Sequence, residues 1–232
     1  NTVELITEYF GKRNIPGKVV SEPFKNFCHN RNFAMQACTG MSDFILLMDA
    51  DMILEAKHFD KQALNANDSF NILQGNDSFY YQNTRIVRNN GLYKYIGVTH
   101  EYISTPPGNR VGGFDKSVLF IRDFGDGGSK HDKFERDIRL LLEGIKEEPK
   151  NERYFFYLAN SYHDSGQFEE AISNYKKRIE FGGWIEEVWY SHYRIGLCYR
   201  NMGRMSDAIH YWLEGYNIYP DRLEGLHEIL HH

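Results

Sequence analysis

An internal repeat constrains this chain more than any other feature of its sequence. Phe155, Leu158, Ala159, Tyr162, Gly166, Phe168, Ala171 and Tyr175 share one spacing, and Ile195, Gly196, Tyr199, Gly203, Met205, Ala208 and Trp212 repeat it. Ala171 and Ala208 lie 37 positions apart. Small residues at matched positions, here Ala159 with Gly196 and Ala171 with Ala208, let two antiparallel helices approach closely. A glycine at Gly166 and again at Gly203 supplies the turn, and the aromatics fill the groove. A unit of this kind cannot bury its apolar face alone, so neighbours must stack on it.

The period is close to the roughly 34 residues of a tetratricopeptide unit, with the surplus assigned to an insertion at Phe181-Gly182-Gly183-Trp184. Lys133 to Pro149 reads as the second helix of a preceding unit. Leu223 to Leu230 reads as the first helix of a following one. Asp126-Gly127-Gly128-Ser129 is the expected boundary between residues 1–128 and this all-α part, residues 129–232.

The first part has a different texture. Val3, Ile6, Tyr9 and Phe10 fall on one helical face, Lys18-Val19-Val20 reads as a short strand, and Asn32 to Cys38 as a helix closed by Gly40. Phe44 to Met48 is a continuous apolar run, the pattern of a strand buried on both faces in a parallel sheet. Further strands are expected at Ile72-Leu73, Phe79 to Tyr81, Arg85 to Arg88, Tyr93 to Val98 and Val118 to Ile121, with a loop over Thr105 to Gly113. This order implies α/β architecture.

Composition excludes several classes. Hydrophobic residues are 41% and charged residues 25% of the 232, which is globular. The net charge is −5 with no dominant basic run, so nucleic acid is not an expected partner. No apolar stretch approaches a membrane span. Three scattered cysteines, Cys28, Cys38 and Cys198, make no disulfide framework and point to a reducing, cytoplasmic setting. The chain opens at Asn1 and closes at His232 in mid-helical patterns, as a piece of a longer protein would.

Two carboxylates one residue apart, Asp49 and Asp51, follow the apolar run. Hard oxygen ligands there suit Mn²⁺ or Mg²⁺, and ligands of open α/β sheets sit beyond the strand ends. A phosphatase of the haloacid-dehalogenase type also places Asp-x-Asp after an apolar strand. It wants Thr or Val where Ile53 stands, and a second acid that the run after Gly125-Asp126 lacks.

Phe27-Cys28-His29-Asn30-Arg31-Asn32-Phe33-Ala34, Asp43 through Asp51, and Gly97-Val98-Thr99-His100-Glu101 together resemble glycosyltransferase family 2 with the GT-A fold. The stretch from Asp126 through Ala159 resembles a subgroup with tetratricopeptide repeats behind the transferase. The resemblance implies a Rossmann-like nucleotide-sugar domain followed by an all-α repeat domain. It implies metal-dependent, inverting transfer of a sugar from a nucleotide-sugar donor, UDP-linked, to a hydroxyl of a saccharide or protein acceptor. In that reading Asp49 and Asp51 hold the metal and the diphosphate, and Arg31 lies near the nucleotide. Glu101 is the general base, and His100 binds metal or orients Glu101. Asp123 stands in for a histidine ligand at the end of the last catalytic strand, and the family's first strand precedes Asn1. The alternative is a non-catalytic scaffold that binds protein partners through its repeats.

Overall fold

The computed structural model describes residues 2–125 and 132–231, and these fall into two compact units. Residues 2–96 and 101–125 form a β-rich unit, and residues 97–100 and 132–231 form a helical one. The expected boundary residues Asp126 to Ser129 lie outside the described residues.

In the β-rich unit, α1 (Thr2–Lys12) carries the expected apolar face, but Val3, Ile6, Tyr9 and Phe10 are all exposed. Lys18 to Val20 forms no strand. Helix α2 (Phe27–Ala37) begins five residues before the expected Asn32, because Asn26 caps it: its side chain accepts from the His29 amide at 2.7 Å. The strands are β1 (Phe44–Leu46), β2 (Met52–Ala56), β3 (Ser69–Gly75), β4 (Tyr80–Arg88), β5 (Lys94–Ile96), β6 (Tyr102–Ser104), β7 (Val111–Gly113) and β8 (Leu119–Asp123). The main sheet runs β1-β4-β3-β8-β2, with β7 also paired to β3, and β5 and β6 form a separate hairpin.

This sheet corrects the parallel α/β expectation. The pairs β1/β4, β3/β4 and β2/β8 are antiparallel, and only β3/β8 and β3/β7 are parallel. The run Phe44 to Met48 is likewise no doubly buried central strand. β1 stands at the end of the order, Ile45 and Leu47 are buried, and Leu46 between them is 40% exposed. Five consecutive apolar residues hid a period-2 alternation with one wet face. What the structure shows is a mixed sheet; it does not show a Rossmann-like GT-A domain. Two apolar clusters hold it: Ile45, Leu47, Val87, Tyr93 and Tyr95, and Phe70, Ile72, Ile86, Leu119 and Ile121.

The β3–β4 hairpin merges two expected strands into one long β4. Its turn is fixed by Asn76, whose side chain accepts from the amides of Ser78 and Phe79 at 3.0 and 2.9 Å. Gly75 before it has φ +143°, and a Cβ there would lie 2.2 Å from the Phe79 carbonyl, so no other residue fits.

The helical unit comprises α3 (Lys133–Glu147), α4 (Glu152–Asp164), α5 (Phe168–Phe181), α6 (Ile185–Asn201), α7 (Met205–Ile218) and α8 (Glu224–Leu230). The two repeats are the hairpins α4–α5 and α6–α7. Ala159, Ala171, Ile195 and Ala208 are fully buried in one core with Tyr175 and Trp212. Gly166 and Gly203 make the two intra-repeat turns at φ +79° and +75°. Gly196 is required by contact: a Cβ on it would meet the Trp212 indole nitrogen at 2.2 Å. Among the described residues no helix is long and apolar enough to cross a membrane.

Candidate functional site

The β-rich unit gathers three of the residues singled out from the sequence. Arg31 on α2 donates from Nε to Glu101 Oε1 at 2.5 Å, and its Nη1 lies 2.5 Å from Asp49 Oδ1. The other Asp49 oxygen lies 3.5 Å from Arg85 Nη1, and Arg85 also donates to the Leu47 carbonyl and, at 2.5 Å, to Gln74 Oε1. Gln74 in turn donates to the Tyr81 hydroxyl at 2.7 Å. Burial pulls the Arg31 guanidinium toward neutrality, but the carboxylates of Asp49 and Glu101 outweigh it and raise its pKa above the usual arginine value.

Backbone docking explains why α2 delivers Arg31 here. Asn32 clips the helix to β5, accepting from the Tyr95 amide at 2.8 Å and donating to the Tyr95 carbonyl at 2.9 Å. Cys28 donates to the same carbonyl, and the Tyr95 ring lies 5.2 Å from the Arg31 guanidinium. Sequence reasoning missed Arg85, Gln74, Asn32 and Tyr95. The only available signal for Arg85 was a charged residue in the inward phase of an apolar strand next to Ile86 and Val87.

The proposed metal ligands have other contacts in this structure. Asp49 spends its oxygens on Arg31 and Arg85. Asp123 accepts from the Gly125 amide at 2.9 Å, a local turn, and lies in register with Met52. Asp51 is half-buried in the turn between β1 and β2, where its carbonyl accepts from Phe124. His100 belongs to the helical unit and stacks on Tyr157, with ring centroids 4.1 Å apart and planes 6° from parallel. Among the described residues no group of three or more His, Cys, Asp or Glu is arranged to hold a metal ion. Two guanidinia, Arg31 and Arg85, against two carboxylates, Asp49 and Glu101, form a charge-compensated cluster.

The helical unit offers a second site. α4, α6 and α8 stand side by side. A cavity of about 190 Å³ is lined by His100, Phe134, Tyr157, Asn160, Tyr190 and Arg194, among others. A second cavity of about 440 Å³ is lined by Tyr193, Asp221, Leu223, Glu224, His227 and Glu228. Arg194 is the hub of the first. It donates to the Tyr175 hydroxyl at 3.1 Å, to Asp164 at 2.5 Å and to His163 at 2.8 Å.

Comparison with known proteins points to this unit. The tetratricopeptide repeat family matches residues 153–180 and 190–222. The chain carries tetratricopeptide repeats. No curated protein matches it. Among solved structures, the N-terminal domain of stress-induced protein-1 from C. elegans is similar at 17% identity, over 46% of this chain and 87% of that one, with a TM-score of 0.42. MamA from AMB-1 is similar at 22% identity, over 40% of this chain and 53% of that one, with a TM-score of 0.36. The resemblance to glycosyltransferase family 2 is corrected by these findings. The family that matches is the repeat, and it matches behind the segments on which the transferase resemblance rested.

Proposed function

We propose that this chain is a protein-interaction scaffold whose repeats hold an extended segment of a partner protein. The observation that supports this reading is the match of two successive tetratricopeptide units whose first helices, α4 and α6, line a pair of adjoining cavities with Tyr157, Tyr190 and Tyr193. Repeat arrays present continuous surfaces of this kind to extended ligands. Flat, half-buried tyrosines anchor a ligand at low entropic cost. Panning a random peptide library on the whole chain tests it. Enriched peptides are expected to bind at least about tenfold more weakly to Tyr190→Ala and Tyr193→Ala, the loss typical of an interface anchor. No enrichment, or binding indifferent to both substitutions, counts against the scaffold.

A second reading, sugar transfer from a nucleotide-sugar donor, is favoured by one observation: Arg31, Asp49 and Glu101, from three separate segments, converge on one point. In that reading Arg31 and Arg85 face a diphosphate, Asp49 and Asp51 bind Mn²⁺ or Mg²⁺, and Glu101 accepts a proton from the acceptor hydroxyl. The roles of Arg31, Arg85, Asp49 and Glu101 require their present ion pairs to open. Calorimetric titration with UDP-glucose, with and without Mn²⁺, is the test. Binding that Arg31→Ala removes supports transfer, and the absence of heat in both titrations removes this reading.

A further inference from the structure

We propose that the segment held by the repeats is proline-rich and carries a basic residue at the end nearer α8. This rests on the scaffold reading and adds the chemistry of the partner.

The two cavities meet at one aromatic wall. Tyr190 lines the first and Tyr193 the second, and their ring centroids are 6.0 Å apart. Each ring packs against another ring. Trp189 stacks on Tyr193 at 5.9 Å and 12°, Phe156 packs on Tyr190 at 5.9 Å, and His100 lies flat on Tyr157. Aromatic rings fixed in a row form the kind of surface on which a polyproline II helix docks, since that helix is already extended and loses little freedom on binding.

Hydrogen-bond polarity in the first cavity accommodates the same ligand. Arg194 Nε donates to the Tyr175 hydroxyl, so that hydroxyl must give its own proton to Asn160 Oδ1, 2.6 Å away. The Asn160 acceptor is thereby spent and its NH₂ remains as donor. Asp164 Oδ1 is spent on Arg194, and Asp137 Oδ1 on Arg136 at 3.0 Å. The lining offers the Asn160 amide and Lys133 as donors, while the carboxylates of Asp137 and Asp164 and the Ser161 hydroxyl keep acceptor capacity. A proline-rich segment meets these donors with its backbone carbonyls and brings few N–H groups of its own. Arg194 is already compensated by Asp164, which removes the reason to expect an acidic ligand here.

The second cavity sets direction. Asp221, Glu224 and Glu228 surround Tyr193. Arg200 pairs with Glu228, and Arg222 with Glu186 at 2.6 Å and Glu224 at 3.5 Å, which with Asp221 sets four carboxylates against two arginines. A lysine or arginine at that end of the ligand completes the balance.

The test is fluorescence anisotropy on the whole chain with a dye-labelled proline decamer ending in two arginines. Three control peptides run beside it: a glycine-serine decamer with the same arginines, a proline decamer ending in two aspartates, and an acidic peptide without proline. The expected result is saturable binding of the first peptide alone, weakened about tenfold or more by Tyr190→Ala, Tyr193→Ala or Asp221→Lys in variants whose far-UV spectrum is unchanged. Equal binding of the glycine-serine peptide overturns the proline assignment, and equal binding of the aspartate-ended peptide overturns the basic end. If none of these peptides binds but library peptides bind in a Tyr190-dependent way, the scaffold reading stands and this proposal falls. If neither happens, both fall.

Discussion

At the scale of single residues, His192 is the most exposed to a change of conditions. It is 7% exposed in α6, and neither ring nitrogen has a hydrogen-bond partner among the described residues. It packs beside Tyr211 and against Gly215, with Glu214 and His210 as the charges that act on it. Burial pushes its pKa below the ordinary value, an effect His210 adds to and Glu214 opposes. His163 shifts the same way, through burial and then the charge of Arg194. Below about pH 6.5 the unfolded chain takes up protons that the folded chain resists, so stability falls as pH drops from there toward the depressed folded values and is flat above. Urea midpoints measured between about pH 7.5 and 5 check this, because His192→Leu should lose less stability over that range than the wild type. An identical pH slope in both proteins sinks the assignment. The sequence showed His192 only as one of ten histidines, because its burial depends on the helix packed over it.

At the scale of elements, the connection between α5 and α6 is held by a buried ion pair. Arg178, fully buried, donates to Glu187 Oε2 at 2.9 Å and to the Gly182 carbonyl at 2.6 Å, and reaches the Trp184 carbonyl. Arg153 reaches the other Glu187 oxygen at 3.4 Å. The expected insertion at Phe181 to Trp184 is thus a loop closed over a guanidinium, with Gly182 and Gly183 at positive φ. Arg178→Met leaves the Glu187 carboxylate buried beside Arg153 alone and should cost about 3–5 kcal/mol in urea unfolding. Arg178→Met combined with Glu187→Leu should recover much of that loss, since two apolar groups need no partners. A single variant within about 1 kcal/mol of the wild type would show the pair to be dispensable. The repeat spacing exposed the insertion but not the pair, because Arg178 and Glu187 belong to helices of successive repeats whose facing is set by packing.

At the scale of the whole molecule, the repeats were the most legible part. A period near the tetratricopeptide length, small residues at the helix crossings and glycines at the turns are local requirements. Each is met where the sequence places it: Ala159 and Gly196 at close approaches, Gly166 and Gly203 in left-handed turns. The sheet was less legible. Strand existence was read at β1, β3, β4, β5 and β8, but β2, β6 and β7 were missed, and the parallel expectation failed at β1/β4, β3/β4 and β2/β8. Direction is set by which strands become neighbours, a long-range outcome that Phe44 to Met48 does not encode. The same division holds for the candidate sites. Arg31, Asp49 and Glu101 stood out as residue types, yet their mutual ion pairing arises only when α2 docks on β5 and the chain folds. Local periodicity determines the helices and their turns because the forces that build them act over a few residues. Tertiary packing decided the sheet order, the partners of each charge and which carboxylates remain for a ligand, because those depend on segments as far apart in the chain as Arg31 and Glu101.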